Sequence, residues 1–319
     1  MSDLFLQVLG LFLGLILLVK GADVFVDASS GLARWFKIPS IIIGLTVVAL
    51  GTSIPEIVVS VSAALSGTSD MAIGNVIGSN TFNILLIMGV CAFVMPLSID
   101  IKKILKDFSI SMVAATILLF MKLYFIDVIP RSASFVLLAL FCVYIFIFIK
   151  NALRDKNKPN HSIEKEGDEK QKTPIFNIMI IVIGVSVIVF GGQLTVSNAV
   201  SMAESFGVSE RVIGLTILAI GTSLPELVTS IVACKKGQVD LALGNIIGSS
   251  IFNILLILGL TGVILPLNID RSIIFDILFL LFASVVFLLF SYTGKKLVRA
   301  EGFLMVALYV LYMIVITIF

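Results

Sequence analysis

Residues 41–60 read IIIGLTVVALGTSIPEIVVS, and residues 211–230 read RVIGLTILAIGTSLPELVTS. They open two segments, 41–100 and 211–270, that align without a gap at an offset of 170 and are identical at 32 of 60 positions. Self-similarity at one fixed offset marks a chain built from two copies of one unit. The match continues through GNVIGSNTFNILLIMG (74–89) and GNIIGSSIFNILLILG (244–259), and ends in PLSID (96–100) and PLNID (266–270). It thins upstream, where Gly21 and Val26 align with Gly191 and Val196 while Asp23 faces Gln193. Identity concentrates on polar residues inside apolar stretches, which duplication alone does not explain.

Those apolar stretches bound the class of protein. Of 319 residues, 59% are hydrophobic and 13% charged, whereas a soluble domain carries roughly a quarter charged residues. The apolar runs approach the ~20 residues a helix needs to cross a bilayer. Ten can be counted: 4–28, 40–65, 71–97, 108–126, 132–150, 174–200, 211–234, 241–266, 272–291 and 301–319. The fold class expected is therefore an all-α membrane protein of ten transmembrane helices. Spans 1–5 fill 1–150, a polar loop occupies 151–173, and spans 6–10 fill 174–319. Five spans per copy is odd, so the second copy enters the membrane from the opposite side, giving two inverted five-helix repeats. With the N-terminus outside, seventeen Lys and Arg fall on the cytoplasmic side and four outside: Lys122, Arg131, Arg211 and Arg271. That bias places both termini outside and the long loop in the cytoplasm of a multi-pass cell-membrane protein. Residues 4–19 lack a basic flank and a small-residue cleavage site, and are read as the first span. The loop, rich in Lys, Glu, Asp and Asn, reads as solvated.

Enzyme chemistry finds little to work with. The single histidine, His161, lies in the charged loop, and Cys91, Cys142 and Cys234 sit in or beside apolar runs without metal-ligand spacing, as packing residues do. No enzymatic activity, resident cofactor or nucleic-acid partner is expected; the partner is the lipid bilayer, and no oligomer is indicated.

The chemistry lies in Gly51-Thr52-Ser53-Ile54-Pro55-Glu56 and Gly221-Thr222-Ser223-Leu224-Pro225-Glu226. Both fall mid-span, where a carboxylate costs at least ~2.5 kcal/mol. A structural salt bridge is the plain alternative, but Lys20 is the one basic residue that could lie at similar depth. Pro55 and Pro225 lack an N–H and clash with the carbonyl four residues back, so each breaks its helix and lets carbonyls near Ala49 and Ala219 turn inward. Backbone freed at that depth is tolerated where it lines a filled cavity. Helical spacing puts Ala49, Thr52, Ser53, Glu56 and Ser60 on one stripe, matched by Ala219, Thr222, Ser223, Glu226 and Ser230. In the next span Asn75, Ser79 and Asn83 are four apart, as are Asn245, Ser249 and Asn253, with Gly74, Gly78, Gly244 and Gly248 beside them for close helix approach. The donors are all oxygen, which suits hard cations. Ca²⁺ takes roughly six to eight oxygens, and two carboxylates balance one Ca²⁺ or two monovalent ions.

The paired G-T-S-x-P-E and G-N-x-I-G-S-x-x-x-N segments resemble the repeats of the calcium/cation antiporter superfamily, and within it the prokaryotic sodium/calcium exchangers. The resemblance covers nearly the whole chain. It implies a four-helix core from spans 2, 3, 7 and 8, with spans 1 and 6 sliding across it. It implies calcium ligands at Glu56 and Glu226 with carbonyl help from Thr52 and Thr222. Sodium ligands by the same resemblance are Ala49, Ser53, Ser79, Glu56, Ala219, Ser223, Ser249 and Glu226, with Asn83, Asn253, Asn75 and Asn245 as supporting polar groups. Many relatives, and the potassium-dependent branch, carry Asp where this chain has Asn253, which argues against K⁺ co-transport. Exchange of H⁺ for Ca²⁺ at the same glutamates and a cation channel remain as alternatives.

The loop yields the first prediction. Long surface loops tolerate changes in length, so removing about ten residues from the middle of 151–173 leaves ion flux in reconstituted vesicles unchanged. Loss of flux in a folded protein would reveal a coupling role for the loop.

Overall fold

A computed structural model describes residues 2–67, 69–125, 127–155, 173–207, 217, 219–269, 273–294 and 296–318. The first half runs α1 (Ser2–Phe36), α2 (Ser40–Ile43), a π-helical stretch (Gly44–Val48), α3 (Ala49–Thr52), α4 (Ile54–Leu65), α5 (Ser69–Thr81), a second π stretch (Phe82–Ile87) and α6 (Met88–Val94). It continues with β1 (Leu97–Ser98), α7 (Ile101–Phe125), β2 (Val128–Ile129) and α8 (Arg131–Asp155). The second half runs α9 (Pro174–Ser205), α10 (Ala219–Thr222), α11 (Leu224–Lys235), α12 (Val239–Ile251), a third π stretch (Phe252–Leu258) and α13 (Gly259–Ile264). β3 (Leu267–Asn268), α14 (Ile273–Gly294), β4 (Lys296–Leu297) and α15 (Arg299–Ile318) complete it.

The protein is a multi-pass, helical membrane protein. Among the described residues, 8 helices are long and apolar enough to cross a bilayer, and the pair Ser40–Thr52 and Ile54–Leu65, bent by 46°, makes up to 9. The expected segment 211–234 falls partly on residues outside the described ones; its described part holds α10 and α11. Two features differ from the sequence reading. First, α1 and α9 continue past residues 28 and 200 to Phe36 and Ser205. At ~1.5 Å per residue both outrun a bilayer of ~30 Å. Second, the described residues, otherwise helical, include four two-residue strands.

The strands tie the halves together. β1 pairs antiparallel with β4 through Leu97↔Leu297 and Ser98↔Lys296, and β2 pairs with β3 through Val128↔Asn268 and Ile129↔Leu267. β1 and β3 stand at the same place in the two copies, so each half receives the same strand from the other. The buried centre belongs to the spans Met71–Val94 and Val239–Ile264, whose most apolar windows are 78% and 83% buried, against 17% for the first span.

α1 and α9 pack against each other as an antiparallel pair. A Cβ added at Gly191 would come within 2.8 Å of the Leu18 nitrogen, and one at Gly184 within 2.9 Å of Phe25 Cβ, so the two backbones lie close, as small residues permit in lipid. α1 is also fastened to the end of α11. Lys236 Nζ lies 2.8 Å from Asp23 Oδ1 and 2.6 Å from Asp27 Oδ1, and donates to the Asp23 carbonyl at 2.9 Å. Partial burial alone would lower this ammonium's pKa, yet the hydrogen bonds and charges of the two aspartates raise it above the usual lysine value. Asp23 has Gln193 opposite it in the repeat, so this fastening exists in one half only.

The glycines expected beside the asparagines divide by half. A Cβ at Gly244 would sit 2.5 Å from the Ile41 carbonyl oxygen, and one at Gly248 2.7 Å from Ala49 Cβ; at Gly74 and Gly78 nothing among the described residues lies within 4 Å. Among the described residues, the close approach expected of all four is made by the second pair. Overpacking costs about 1–3 kcal/mol. Gly244→Ala and Gly248→Ala should thus lower the thermal-unfolding midpoint of the detergent-solubilised protein, while Gly78→Ala leaves it near wild type. Equal losses at both glycine pairs would contradict this division.

Candidate functional site

The sequence Ser53-Ile54-Pro55-Glu56 has the S-x-x-E form of a capping box, in which the serine and glutamate side chains satisfy the backbone of their own helix start. Ser53 and Ser223 do stand at the N-caps of α4 and α11, at φ −83°, ψ 7° and φ −93°, ψ 8°, but neither makes a side-chain cap hydrogen bond. Both side chains are diverted across the centre of the protein. Ser53 Oγ donates to Glu226 Oε1 at 3.0 Å, and Ser223 Oγ donates to Glu56 Oε1 at 2.9 Å. A hydroxyl has one proton. The contacts of Ser53 with Ser249 Oγ and of Ser223 with Ser79 Oγ, both 3.0 Å, are therefore made with Ser249 and Ser79 as donors. Each carboxylate ends a relay, Ser249 to Ser53 to Glu226 and Ser79 to Ser223 to Glu56, whose last serine comes from the opposite half.

Around this centre stands a second reciprocal set. Thr52 Oγ1 donates to Asn245 Oδ1 at 3.0 Å, and Thr222 Oγ1 to Asn75 Oδ1 at 3.4 Å. The asparagine amides donate in turn to Ser230 Oγ at 3.1 Å and Ser60 Oγ at 3.0 Å. All the side chains of the first expected stripe are brought together: Ala49, Thr52, Ser53, Glu56 and Ser60 are buried, as are Ser223, Glu226 and Ser230 opposite them. The helix break at Pro55 and Pro225 falls one turn from the glutamates, as expected. Ser53 N–H donates to the Ala49 carbonyl at 3.0 Å, so that oxygen keeps one lone pair engaged, and Ser223 N–H donates to the Ile220 carbonyl at 3.1 Å.

Both glutamates are 1% exposed. Their second oxygens, Oε2, are buried with no hydrogen-bond partner among the described residues, and so are both side-chain polar atoms of Asn83 and Oδ1 of Asn253. No described Lys or Arg pairs with either carboxylate; Lys20 lies on the exposed surface of α1. Buried polar atoms of native proteins are almost always partnered. Unengaged buried oxygens of carboxylate and amide groups are the donor chemistry of a hard-cation site.

Two features were not read from the sequence. The π-helical stretches Phe82–Ile87 and Phe252–Leu258 begin beside Asn83 and Asn253, and such wide turns recur at functional sites because they loosen the carbonyl ladder. The second is Asn80. It is fully buried, donates to the Ser250 carbonyl at 3.1 Å and accepts from Asn253 Nδ2 at 2.9 Å. Its counterpart in the repeat is Ser250, so a filter for residues identical in both copies discards it. A search for polar residues within the most apolar spans would have retained it.

The profile of the sodium/calcium exchanger protein family matches residues 6–150 and 176–318. The sodium/calcium exchanger MaX1 of Methanosarcina acetivorans is 34% identical over 344 residues, covering 96% of this chain and 97% of its own length. The inner membrane protein YrbG of Escherichia coli is 38% identical over 267 residues, covering 82% and 80%. The solved sodium-calcium exchanger NCX_Mj superposes with a TM-score of 0.81 at 33% identity, over 97% of this chain and 98% of that one.

The crossed serines make a prediction about coupling. Ser53→Ala removes a hydrogen bond from Glu226, and Glu226→Gln changes the acceptor of that same bond. A double-mutant cycle on these two should show non-additivity of about 1 kcal/mol or more in unfolding free energy. The cycle of Ser53→Ala with Glu56→Gln, two residues of the same half, should be closer to additive; the reverse order would contradict the crossed geometry.

Proposed function

We propose, from the premise that this chain belongs to the sodium/calcium exchanger protein family, that it is a secondary antiporter exchanging Na⁺ for Ca²⁺ by alternating access. The observation that carries the reading is the pair of buried glutamates, each with one oxygen held by a serine of the opposite half and the other without a partner among the described residues. Cations are the substrates here and no resident cofactor is invoked. Glu56 and Glu226, aided by the carbonyls of Thr52 and Thr222, bind Ca²⁺. Ser53, Ser79, Ser223 and Ser249, with the carbonyls of Ala49 and Ala219 and the same two glutamates, bind Na⁺. Shared carboxylates make the two ions compete for one site, which is what exchange requires.

The architecture that serves this is ten spans in two inverted repeats, 1–150 and 174–319, joined by a cytoplasmic loop at 151–173, with both termini outside. Reciprocal strand pairing, reciprocal serine–glutamate bonds and the Lys and Arg bias support it. With Asn at 83 and 253, the site holds two formal charges. One Ca²⁺ balances them, and more than two Na⁺ leave a net positive charge, so exchange is electrogenic; a potential of 100 mV acts on each such charge with ~2.3 kcal/mol.

The test is ⁴⁵Ca²⁺ uptake into proteoliposomes. An outward Na⁺ gradient should drive uptake, a valinomycin-set potential should change its rate, and external K⁺ should not be required. Uptake driven by a proton gradient without Na⁺ would replace Na⁺ with H⁺ in the reading, and non-saturating flux with single-channel currents would replace the carrier with a channel. Glu56→Gln and Glu226→Gln should each abolish Ca²⁺ uptake in a protein that still inserts and folds. Near-normal flux in either variant would remove the central claim.

A further inference from the structure

Asn80, Asn253 and the backbone of Ser250 form a chain of hydrogen bonds whose polarity is fixed at one end. The Ser250 carbonyl can only accept. The Asn80 atom 3.1 Å from it is therefore the NH₂ group. That leaves Asn80 Oδ1 on the other side, and the group facing it at 2.9 Å must donate, so it is the NH₂ of Asn253. The remaining atom of Asn253 is then its carbonyl oxygen, buried and without a partner. Asn253 stands four residues beyond Ser249, whose hydroxyl feeds the Ser53–Glu226 relay, and on the stripe that also carries Asn245.

The first half lacks this arrangement. The counterpart of Asn80 is Ser250, whose Oγ donates back to the Ile246 carbonyl at 2.9 Å within its own helix. Asn83, the counterpart of Asn253, has both side-chain polar atoms buried and unpartnered. One amide is locked and its pseudo-symmetric twin is not.

We propose that Asn80 is a positioning residue that locks the Asn253 amide with its carbonyl oxygen, not its NH₂ group, turned to the ion site. The assignment rests on the cation-exchange reading above. An unlocked amide has two orientations, one offering an acceptor to a cation and the other offering donors that repel it. Locking confines Asn253 to the binding-competent form before the ion arrives. Apparent affinity is divided by the fraction of molecules in that form. Losing the lock therefore weakens binding about twofold if the two orientations become equal, and up to about tenfold if the unengaged glutamate oxygens draw the NH₂ group inward.

Asn80→Ser is the test, since it installs the residue that the other half carries at the same place; Asn80→Ala is made alongside it. Ca²⁺ and Na⁺ half-saturation are measured by ⁴⁵Ca²⁺ uptake, and by the ion-induced rise in thermal-unfolding midpoint in detergent. Each variant is made in the wild-type and in the Asn253→Ala background. The expected result is a two- to tenfold rise in half-saturating concentration in the wild-type background, little change in the ion-free midpoint, and no further rise where Asn253 is already absent. An equal loss in both backgrounds, no loss in either, or failure of both variants to fold would overturn the proposal, because Asn80 would then act on packing or not at all. If the wild-type protein shows no ion-induced stabilisation and no uptake, the exchange reading fails instead, so the two failures are distinguishable.

Discussion

Two carboxylates buried at the centre of an apolar bundle are the constraint around which the rest of this protein is arranged. Each would be costly at that depth, by at least ~2.5 kcal/mol on insertion scales, and no described basic residue neutralises either. What stands around them is a set of hydroxyls, amides and interrupted backbone. The serines that in a soluble helix would cap their own N-terminus reach instead to the glutamate of the other half. Neither half can therefore complete its own site. The exchanged strands at the periphery, β1 with β4 and β2 with β3, follow the same logic of mutual completion. Association of the halves and construction of the site are one event.

Much of this was legible in the residues. Pro55 and Pro225 announced the broken helices because a prolyl ring excludes an i−4 hydrogen bond whatever the tertiary context. The stripe from Ala49 to Ser60 was legible because a period of 3.6 survives within each short helix. The Thr, Ser and Asn partners stood out because polar side chains in long apolar runs need a reason. What escaped was set by tertiary geometry. Capping boxes read as local, and only the folded chain reveals their side chains pointing away from their own helix. The π-helical stretches Phe82–Ile87 and Phe252–Leu258 begin at Phe-Asn, a pair with no π signature, because widening a turn depends on what packs outside it. Asn80 is hidden by the repeat itself, since its counterpart is Ser250 and identity between the copies does not mark it.

The places where the copies differ then carry information that the identities cannot. Lys236 grips Asp23 and Asp27, while the equivalent of Asp23 is Gln193. Asn80 anchors Asn253, while the equivalent of Asn80 is Ser250. Such substitutions leave the two glutamates chemically alike and make their surroundings unlike. A site of two equal halves would hold an ion equally from either side; unequal supports allow the ligands of one half to be set in advance and those of the other to adapt.

The same inequality appears in how the site is covered. Thr52 and Asn245 are buried and 3.0 Å apart, and Gly244 and Gly248 lie tightly against the segment from Ile41 to Ala49. Their counterparts Thr222 and Asn75 are only half-buried and 3.4 Å apart, with Gly74 exposed. Among the described residues, one end of the site is packed more tightly than the other, although the residues at both ends are nearly the same. Where sequence is shared and packing is not, the difference must come from the arrangement adopted, and exchanging the arrangements of the two halves would tighten the looser end and loosen the tighter one. Under the proposed alternating access, that exchange is the transport step. Its energetic asymmetry is then set by the few contacts the halves do not share, foremost the Lys236 fastening that holds α1 to the end of α11 in the arrangement described here.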